Sequence, residues 1–489
     1  MTEVKRPYDV VVIGSGPGGY TAAIRAAQLG GKVAVIEKNQ LGGTCTNKGC
    51  IPTKALIAGA GLLRKVKRGE DFGIKPTGIE FDFIKLQQHK DSVVERLRRG
   101  IGHLFKSYDI DLLPGEGRFI PQDLRGERAT VGQASKAGSF MLEVIKEGQR
   151  SLIRARRVII ATGSVSASIP EIGFDVEKVI SSNEILELTE IPPSLLIIGG
   201  GAIGLEFASI FNALGSEVTV VEMLPRIIPA EDVEISELLK KTLVREGIRI
   251  RTGARVVPAK ERSSPSEVEI IDAQGNAESG PIGSASKILV AVGRQPYLNG
   301  MALENVVVRV EDGRIRVDRR METNIPGIYA VGDVVGAPLL AHVASAEGIV
   351  AAENAMGREA MIDYRVIPNC VYTIPEVASV GLTQQEAQQQ GYEAVTGRFP
   401  FSASGKALLL GEGEGLVKVV ADRNTDEILG VHIIGPEATE LIGEACIALG
   451  LESTLEEFNR ISHAHPTLSE AIYHAVQDVR KMATDLPKR

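Results

Sequence analysis

Apolar and β-branched residues gather into short runs along this chain, and two of these runs open the same series of patterns. The first spans Tyr8 to Ile13 and ends at Gly14-Ser15-Gly16-Pro17-Gly18-Gly19. An alanine-rich stretch of helical character follows, then a second run over residues 32–36 that closes at Glu37. Ser194 to Ile198 repeats the plan. It leads into Gly199-Gly200-Gly201-Ala202-Ile203-Gly204, a helical stretch, and a run over 217–221 that closes at Glu222. In both copies the acid follows the first glycine by 23 positions. Short apolar runs bounded by glycine and alternating with helical stretches predict parallel strands and an α/β sheet.

The echo extends further. Residues 157–160 end in Ala161-Thr162-Gly163, and residues 287–290 end in Ala291-Val292-Gly293-Arg294. The first copy is longer by 55 residues between these landmarks, which matches an insertion with helix-like spacing from about 52 to 105. After Gly293 come short strands, a segment over 324–335 containing Gly332-Asp333, and a helix from about 341 to 356. From Pro368 onward the pattern is strand-rich, over 415–420 and 428–434, with helices near 437–449 and 467–479. The expected fold class is α/β, with two Rossmann-like dinucleotide-binding domains followed by an α+β C-terminal domain. The expected boundaries are 1–155, 156–285, 286–357 (a return to the first domain) and 358–489. Linkers are expected near Ile191-Pro192-Pro193 and Gly357.

A length of 489 residues suits about three or four domains. A net charge of −7 supplies no basic field for nucleic acid, and the absence of tryptophan argues against a base-stacking platform. No apolar run reaches the roughly 18–20 residues that cross a bilayer. The charged start, from Met1 to Asp9, is unlike a secretory leader. These features suggest a cytoplasmic protein, or one in a mitochondrial or plastid matrix after loss of an address.

Each glycine cluster carries a mechanism. Gly14 and Gly199 allow a tight turn, and Gly16 and Gly201 admit close approach of a pyrophosphate. Gly19 and Gly204 let the helix pack on the strand, and the helix start favours phosphate charge. Glu37 and Glu222 sit where a carboxylate accepts hydrogen bonds from ribose hydroxyls, so two dinucleotides are implied. Glu222 would repel a 2′-phosphate and favours NAD over NADP, although Arg226 lies close by.

Among the four cysteines, Cys45 and Cys50 lie in Gly42-Gly43-Thr44-Cys45-Thr46-Asn47-Lys48-Gly49-Cys50-Ile51-Pro52-Thr53-Lys54. Two inert buried thiols or half of a metal site are other readings. No nearby His or Cys completes a set of four ligands, so no metal is expected. A glycine-rich turn entering a helix, with Lys54 one turn on, lowers a thiol pKa and suits a reversible disulfide. Cys370 and Cys446 fit no redox motif and read as buried apolar residues.

The spacing C-x-x-x-x-C-x-P-x-K after a first dinucleotide motif resembles the redox motif of the pyridine nucleotide–disulfide oxidoreductases. Ala161-Thr162-Gly163, Gly332-Asp333 and Ile374-Pro375-Glu376-Val377-Ala378-Ser379-Val380-Gly381 resemble further marks of that family. The resemblance covers nearly the whole chain. It implies FAD held at Gly14, Gly16, Gly19, Glu37, Lys54, Gly117, Ala161, Thr162, Gly163, Gly332 and Asp333. It implies NAD held at Gly199, Gly201, Ile203, Gly204, Glu206, Glu222 and Gly293. The C-terminal domain would then be an interface for a homodimer. Ser462-His463-Ala464-His465-Pro466-Thr467-Leu468-Ser469-Glu470 resembles the family's acid–base dyad, His465 with Glu470. A lone histidine is more often structural, and His463 reads that way.

The H-A-H-P-T form is most similar to the branch that oxidises dihydrolipoyl groups. That branch would partner lipoyl domains and the core of 2-oxo acid dehydrogenase complexes, or a glycine cleavage protein. The implied catalytic set is Cys45, Cys50, His465, Glu470 and Lys54. Thr46, Lys48 and Thr53 depart from the usual motif without removing a required group. Glutathione or mercuric reduction is the alternative. Glu222 speaks against NADPH, and the segment 451–489 lacks the extra cysteines of a mercuric reductase.

Overall fold

The computed structural model describes residues 7–75, 77–121, 139–259, 267–277 and 285–488. They fold as two compact units. One comprises the described residues up to 55, 87–167 and 294–363; the other comprises 56–86, 168–293 and those from 364 onward.

The first unit is built on a sheet in the order Asp111–Pro114, Val33–Glu37, Tyr8–Ile13, Gln149–Ile160, Phe140–Lys146 and Glu116–Phe119. The Tyr8–Ile13 strand is parallel to both its neighbours. Val10, Val11 and Val12 are fully buried, which is why residues 10–13 form a continuous apolar run without alternation. Gln149–Ile160 serves two partners in succession. Its first half is antiparallel to Phe140–Lys146, and its last residues are parallel to both Tyr8–Ile13 and Ile328–Ala330. Helix Pro17–Gln28 has proline at its first position, where no hydrogen bond is lost. It packs on helix Ala341–Ala355, and a Cβ at Gly348 would run into the Gly18 carbonyl, so glycine sets this close approach. Arg25 reaches Glu353 across the same contact with Nε 3.0 Å from Oε1.

The second unit repeats the parallel core: Arg249–Thr252, Glu217–Glu222, Ser194–Ile198, Lys287–Val290 and Val179–Ile180. The echo seen along the chain is therefore an echo of strand order, differing in the origin of the last strand. Ile328–Ala330 fills that place in the first sheet from far downstream; Val179–Ile180 fills it in the second from upstream. A separate antiparallel sheet runs Asn369–Val371, Glu376–Gly381, Ile428–Gly435, Leu416–Asp422 and Ala394–Pro400. Helices Ala438–Gly450 and Glu470–Val479 bury Ala445, Ile472 and Val476 in the same cluster as Val417, Val419 and Ile433 of this sheet.

Three expectations change in detail. The helical region expected over 52–105 is two helices, Cys50–Lys67 and Phe83–Ser107, separated by a 3₁₀ turn at Gly69–Phe72. Leu56 and Leu63 join the buried cluster around Phe207, Phe211 and Leu239. The last helix begins at Glu470 because the preceding residues, from His465 to Ser469, are held by side-chain bonds instead. Cys370 and Cys446 are half-buried rather than buried, packed at the edge of the C-terminal core.

Candidate active site

The first glycine turn sits at the carboxyl end of the Tyr8–Ile13 strand. Gly14 has φ of +100°, and a Cβ there would strike the Ala161 carbonyl, so only glycine fits. Its N–H donates to the Ile36 carbonyl, and Ala161 N–H donates to Ile13, both at 2.8 Å. Thus Ala161-Thr162-Gly163 forms the wall against which the turn closes. Thr162 Oγ1 donates to the Tyr297 carbonyl at 2.8 Å, and Gly163 has φ of +69° with open space beyond it. Glu37 accepts from Ser15 N–H at 2.8 Å, Ser15 Oγ at 2.7 Å and Asn39 N–H at 2.7 Å.

The second turn reproduces this geometry. Gly199 has φ of +112° and abuts the Ala291 carbonyl; Gly199 N–H donates to Val221 and Ala291 N–H to Ile198, again both at 2.8 Å. Glu222 accepts from Gly200 N–H at 2.6 Å and Leu224 N–H at 2.8 Å. Gly204 packs against the Gly199 carbonyl as Gly19 does against Gly14, while Gly201 and Gly293 face open space. Arg226 donates to the Pro229 carbonyl at 2.8 Å.

The cysteine segment is pinned to the first turn. Gly42 N–H donates to Ser15 O at 3.0 Å, and a Cβ at Gly43 would lie 2.6 Å from Gly16 Cα. Asn47 Nδ2 donates to the Leu41 and Gly43 carbonyls at 2.9 and 2.8 Å, closing the loop on itself. Cys45 lies inside the short helix Gly43–Lys48, and Cys50 opens the long helix Cys50–Lys67, whose N-terminal dipole favours a thiolate. Both residues are thiols. The Cys45 thiol is pushed well up, first by its hydrogen bond with Cys50, then by burial, against the opposing charge of half-buried Lys54. Tyr20 is pushed up by its own burial and then by the charge of Cys45.

Asp333 follows Gly332 in a 3₁₀ turn, and buried Glu347 accepts from Gly332 N–H at 2.6 Å. Ser164 Oγ donates to Asp333, and Arg294 donates to Ser164 Oγ at 2.7 Å and Ser164 O at 2.8 Å. Burial draws the Arg294 guanidinium below its ordinary value, opposed by the charges of Asp333 and Cys50. Ser164, Arg294 and Glu347 were not singled out from the sequence. The position of Arg294 directly after Ala291-Val292-Gly293 was the available signal.

His465 Nδ1 lies 2.9 Å from Glu470 Oε1, and Glu470 Oε2 accepts from Thr467 N–H at 2.7 Å. Burial pulls Glu470 upward, but the Thr467 N–H and the His465 ring outweigh it and hold the carboxyl below its usual range. The imidazole is 79% exposed.

Other expected residues are placed less directly. Gly117 lies in strand Glu116–Phe119, where a Cβ would meet Ile36 at 2.9 Å. Glu206 is buried and accepts from Tyr372 N–H at 3.0 Å, and Ile203 packs beside the core near it.

Both turns fit a dinucleotide. Each presents a helix start, room beside Gly16 or Gly201, and a carboxylate with lone pairs left for ribose hydroxyls. Residues 8–348 match the profile of the pyridine nucleotide-disulphide oxidoreductases, and residues 367–476 match that family's dimerisation domain. The chain belongs to this family.

As a pyridine nucleotide-disulphide oxidoreductase it is a flavoprotein working with FAD and NAD, and its C-terminal domain makes it a homodimer. It is 44% identical to the dihydrolipoyl dehydrogenase of Bacillus subtilis over 96% of this chain and 97% of that one. It is 45% identical to the dihydrolipoyl dehydrogenase of Thermus scotoductus over 99% and 100%. Among solved structures, LpdA from Mycobacterium tuberculosis superposes with a TM-score of 0.85 at 27% identity, covering 96% of this chain and 99% of that one. Among the described residues no helix is long and apolar enough to cross a membrane, and no cluster of His, Cys, Asp and Glu could hold a metal ion.

Proposed function

We propose that the chain oxidises dihydrolipoyl groups to the lipoyl disulfide with reduction of NAD to NADH, the reaction named for its relatives in Bacillus subtilis and Thermus scotoductus. The observation that supports it most is the Cys45–Cys50 pair held against the Gly14–Gly19 turn, where a flavin dinucleotide fits. In this proposal the unit built on the Tyr8–Ile13 sheet, with residues 161–163 and 294–363, holds FAD, the Ser194–Ile198 sheet with Lys287–Val290 holds NAD, and the antiparallel sheet with its helices forms the dimer contact.

In the oxidised enzyme His465 takes a proton from one substrate thiol, with Glu470 holding the ring by its Nδ1 edge. The substrate thiolate attacks Cys45 Sγ. The Cys45–Cys50 bond breaks, and Cys50 leaves as a thiolate at the start of its helix. The second substrate thiol then attacks the sulfur bonded to Cys45, closing the lipoyl ring and releasing Cys45. The substrate has lost two electrons and the cysteine pair has gained them. Cys45 leaves as a thiol carrying the proton given up by the second substrate thiol, because Cys50 and burial both raise it, so the negative charge rests on Cys50 near Lys54 and Arg294. FAD, when bound, accepts those electrons and delivers them to NAD. Asp333 would hold the flavin side chain, itself fixed by Ser164 and Arg294. Glu222 and the Arg226–Pro229 bond favour an unphosphorylated ribose.

His465 serves the cysteine pair of the partner subunit in this proposal, as the family resemblance implies. Mixing Cys45→Ser subunits with His465→Gln subunits tests this: heterodimers should regain activity that neither parent has. The substrate would be presented by lipoyl domains of a 2-oxo acid dehydrogenase complex or a glycine cleavage protein, in the cytoplasm or an organelle matrix.

Steady-state turnover of dihydrolipoamide with NAD is the primary test. Turnover with NAD far above that with NADP, and its loss in Cys50→Ser with flavin retained, is the expected result. Preference for glutathione disulfide with NADPH would overturn the assignment.

A further inference from the structure

His463 is two residues from His465 and lies outside the proton path described above. Its side chain is only 7% exposed, whereas that of His465 is 79% exposed. His463 Nε2 lies 2.5 Å from Glu444 Oε1, and its Nδ1 lies 3.1 Å from the Ile461 carbonyl. Phe458 stacks on the ring at 5.6 Å between centroids, and Tyr473 lies at 5.0 Å. Helix Ala438–Gly450 supplies Glu444, helix Leu455–Asn459 supplies Phe458, and helix Glu470–Val479 supplies Tyr473. Three helices therefore converge on one ring in the loop that carries His465.

The hydrogen-bond inventory of this ring is asymmetric in a useful way. A carbonyl oxygen only accepts, and so does an ionised carboxylate. Facing one on each side, the ring spans the Ile461 carbonyl and the Glu444 carboxylate with its two nitrogens. The loop between the two helices is thus closed by a ring bridging its own backbone and a carboxylate on a third helix. Two charge-assisted or backbone-directed bonds restrain a segment that would otherwise be free to move at its exposed end.

We propose that Glu444 and His463 are positioning residues for the dithiol half-reaction: they aim His465 by clamping the loop on which it stands. This rests on the proposed role of His465. Glu444 touches no reacting atom in the proposal, and its effect passes through His463 and the Ile461–His465 backbone. A displacement of about 1 Å in a reacting group can cost on the order of 10²-fold in rate. We therefore expect Glu444→Gln, which keeps shape and loses charge, to lower kcat/KM for dihydrolipoamide about tenfold or more.

The experiment is a double-mutant cycle in the full-length dimer, with dihydrolipoamide and NAD as substrates and NADH oxidation by ferricyanide as a second readout. Glu444→Gln and His463→Gln should each lower dithiol oxidation through kcat and leave the ferricyanide rate and flavin content at wild-type level. Added to His465→Gln, Glu444→Gln should cause little further loss, because there is no longer a base to aim. Glu444→Asp should restore part of the rate. If Glu444→Gln costs as much in the His465→Gln background as in the wild type, or lowers the ferricyanide rate equally, the proposal is overturned. A wild-type enzyme that fails to oxidise dihydrolipoamide would instead sink the assigned reaction, so the two failures are distinguishable.

Discussion

The two glycine turns share a backbone plan and differ in how much of their acid they consume. At the first, three groups donate to Glu37: Ser15 N–H, Ser15 Oγ and Asn39 N–H. At the second, Glu222 accepts from two backbone groups, Gly200 and Leu224. A carboxylate has about four lone-pair sites, so Glu222 retains more capacity for an incoming ribose than Glu37 does. Ser15 substitutes its own hydroxyl for part of that ligand contact. The first turn is thus more completely satisfied by the protein. The second leaves more of its carboxylate unsatisfied by the protein, which under the proposed function is the side that NAD enters.

The second fold has a further support. Asp232 caps helix Val233–Arg245, accepting from Glu234 N–H at 3.0 Å, and pairs with Lys418 of the antiparallel sheet at 2.8 Å. Both side chains are 4% exposed. Lys418→Met would leave a buried carboxylate without its cation and should cost about 3–5 kcal/mol, read by chemical denaturation. This is the largest effect expected. Burial pulls Asp232 up, but the Lys418 ammonium outweighs it and holds the carboxyl below its ordinary range. A depressed carboxyl stabilises the fold above the ordinary aspartate range and loses that contribution as pH falls through the lowered value. The wild-type melting temperature should therefore fall in acid more steeply than that of Lys418→Met, in which the depression is gone.

Gly14→Ala and Gly199→Ala probe what the turns share. Each places a Cβ against a carbonyl, at a φ of +100° or +112°. Each should cost on the order of 3 kcal/mol, the sum of left-handed strain and overpacking. The readouts should diverge: Gly14→Ala loses flavin absorbance, while Gly199→Ala stays yellow and loses reduction by NADH. Equal loss of flavin in both would break the assignment of one ligand to each turn.

Glu222→Gln and Glu37→Gln probe the acids. Charge-assisted bonds contribute about 1.5–3 kcal/mol each, so Glu222→Gln should lower kcat/KM for NAD roughly tenfold and narrow the preference over NADP. Glu37→Gln should weaken flavin retention and leave the NAD/NADP ratio unchanged. The smallest effect is expected from Ser15→Gly, which makes the first turn like the second. Losing one hydroxyl donor should weaken flavin retention by about 1 kcal/mol, measured by release on dialysis against mild denaturant. The reverse exchange is harsher, since a Cβ at Gly200 would sit 3.0 Å from Glu222 Cβ and 3.1 Å from Ile227.

Much of the parallel architecture was legible along the chain. Tyr8–Ile13, Ser194–Ile198 and Lys287–Val290 begin and end where the apolar runs do, because strands buried on both faces admit no polar interruption. The acids and glycines were legible for the same reason: fixed spacing is imposed by strand, turn and helix lengths. Arg294, Ser164 and Glu347 were not. Ser164 and Arg294 meet across 130 positions, and Glu347 holds Gly332 from an alanine-rich helix that carries no motif. His463 read as structural from the sequence, since neither Glu444 nor Tyr473 stands in a motif with it.

What one-dimensional pattern decides here is whatever depends on neighbours along the chain: strand and helix identity, the phosphate-binding turns, and two thiols five residues apart. Packing alone decides which distant groups share a hydrogen bond, and so how Ser15 joins Glu37 and Gly200 joins Glu222, and how much burial adds to the Cys50 contact in raising the Cys45 thiol. Those outcomes follow from burial and from partners that no local spacing encodes, because desolvation and Coulomb energy depend on distance through space.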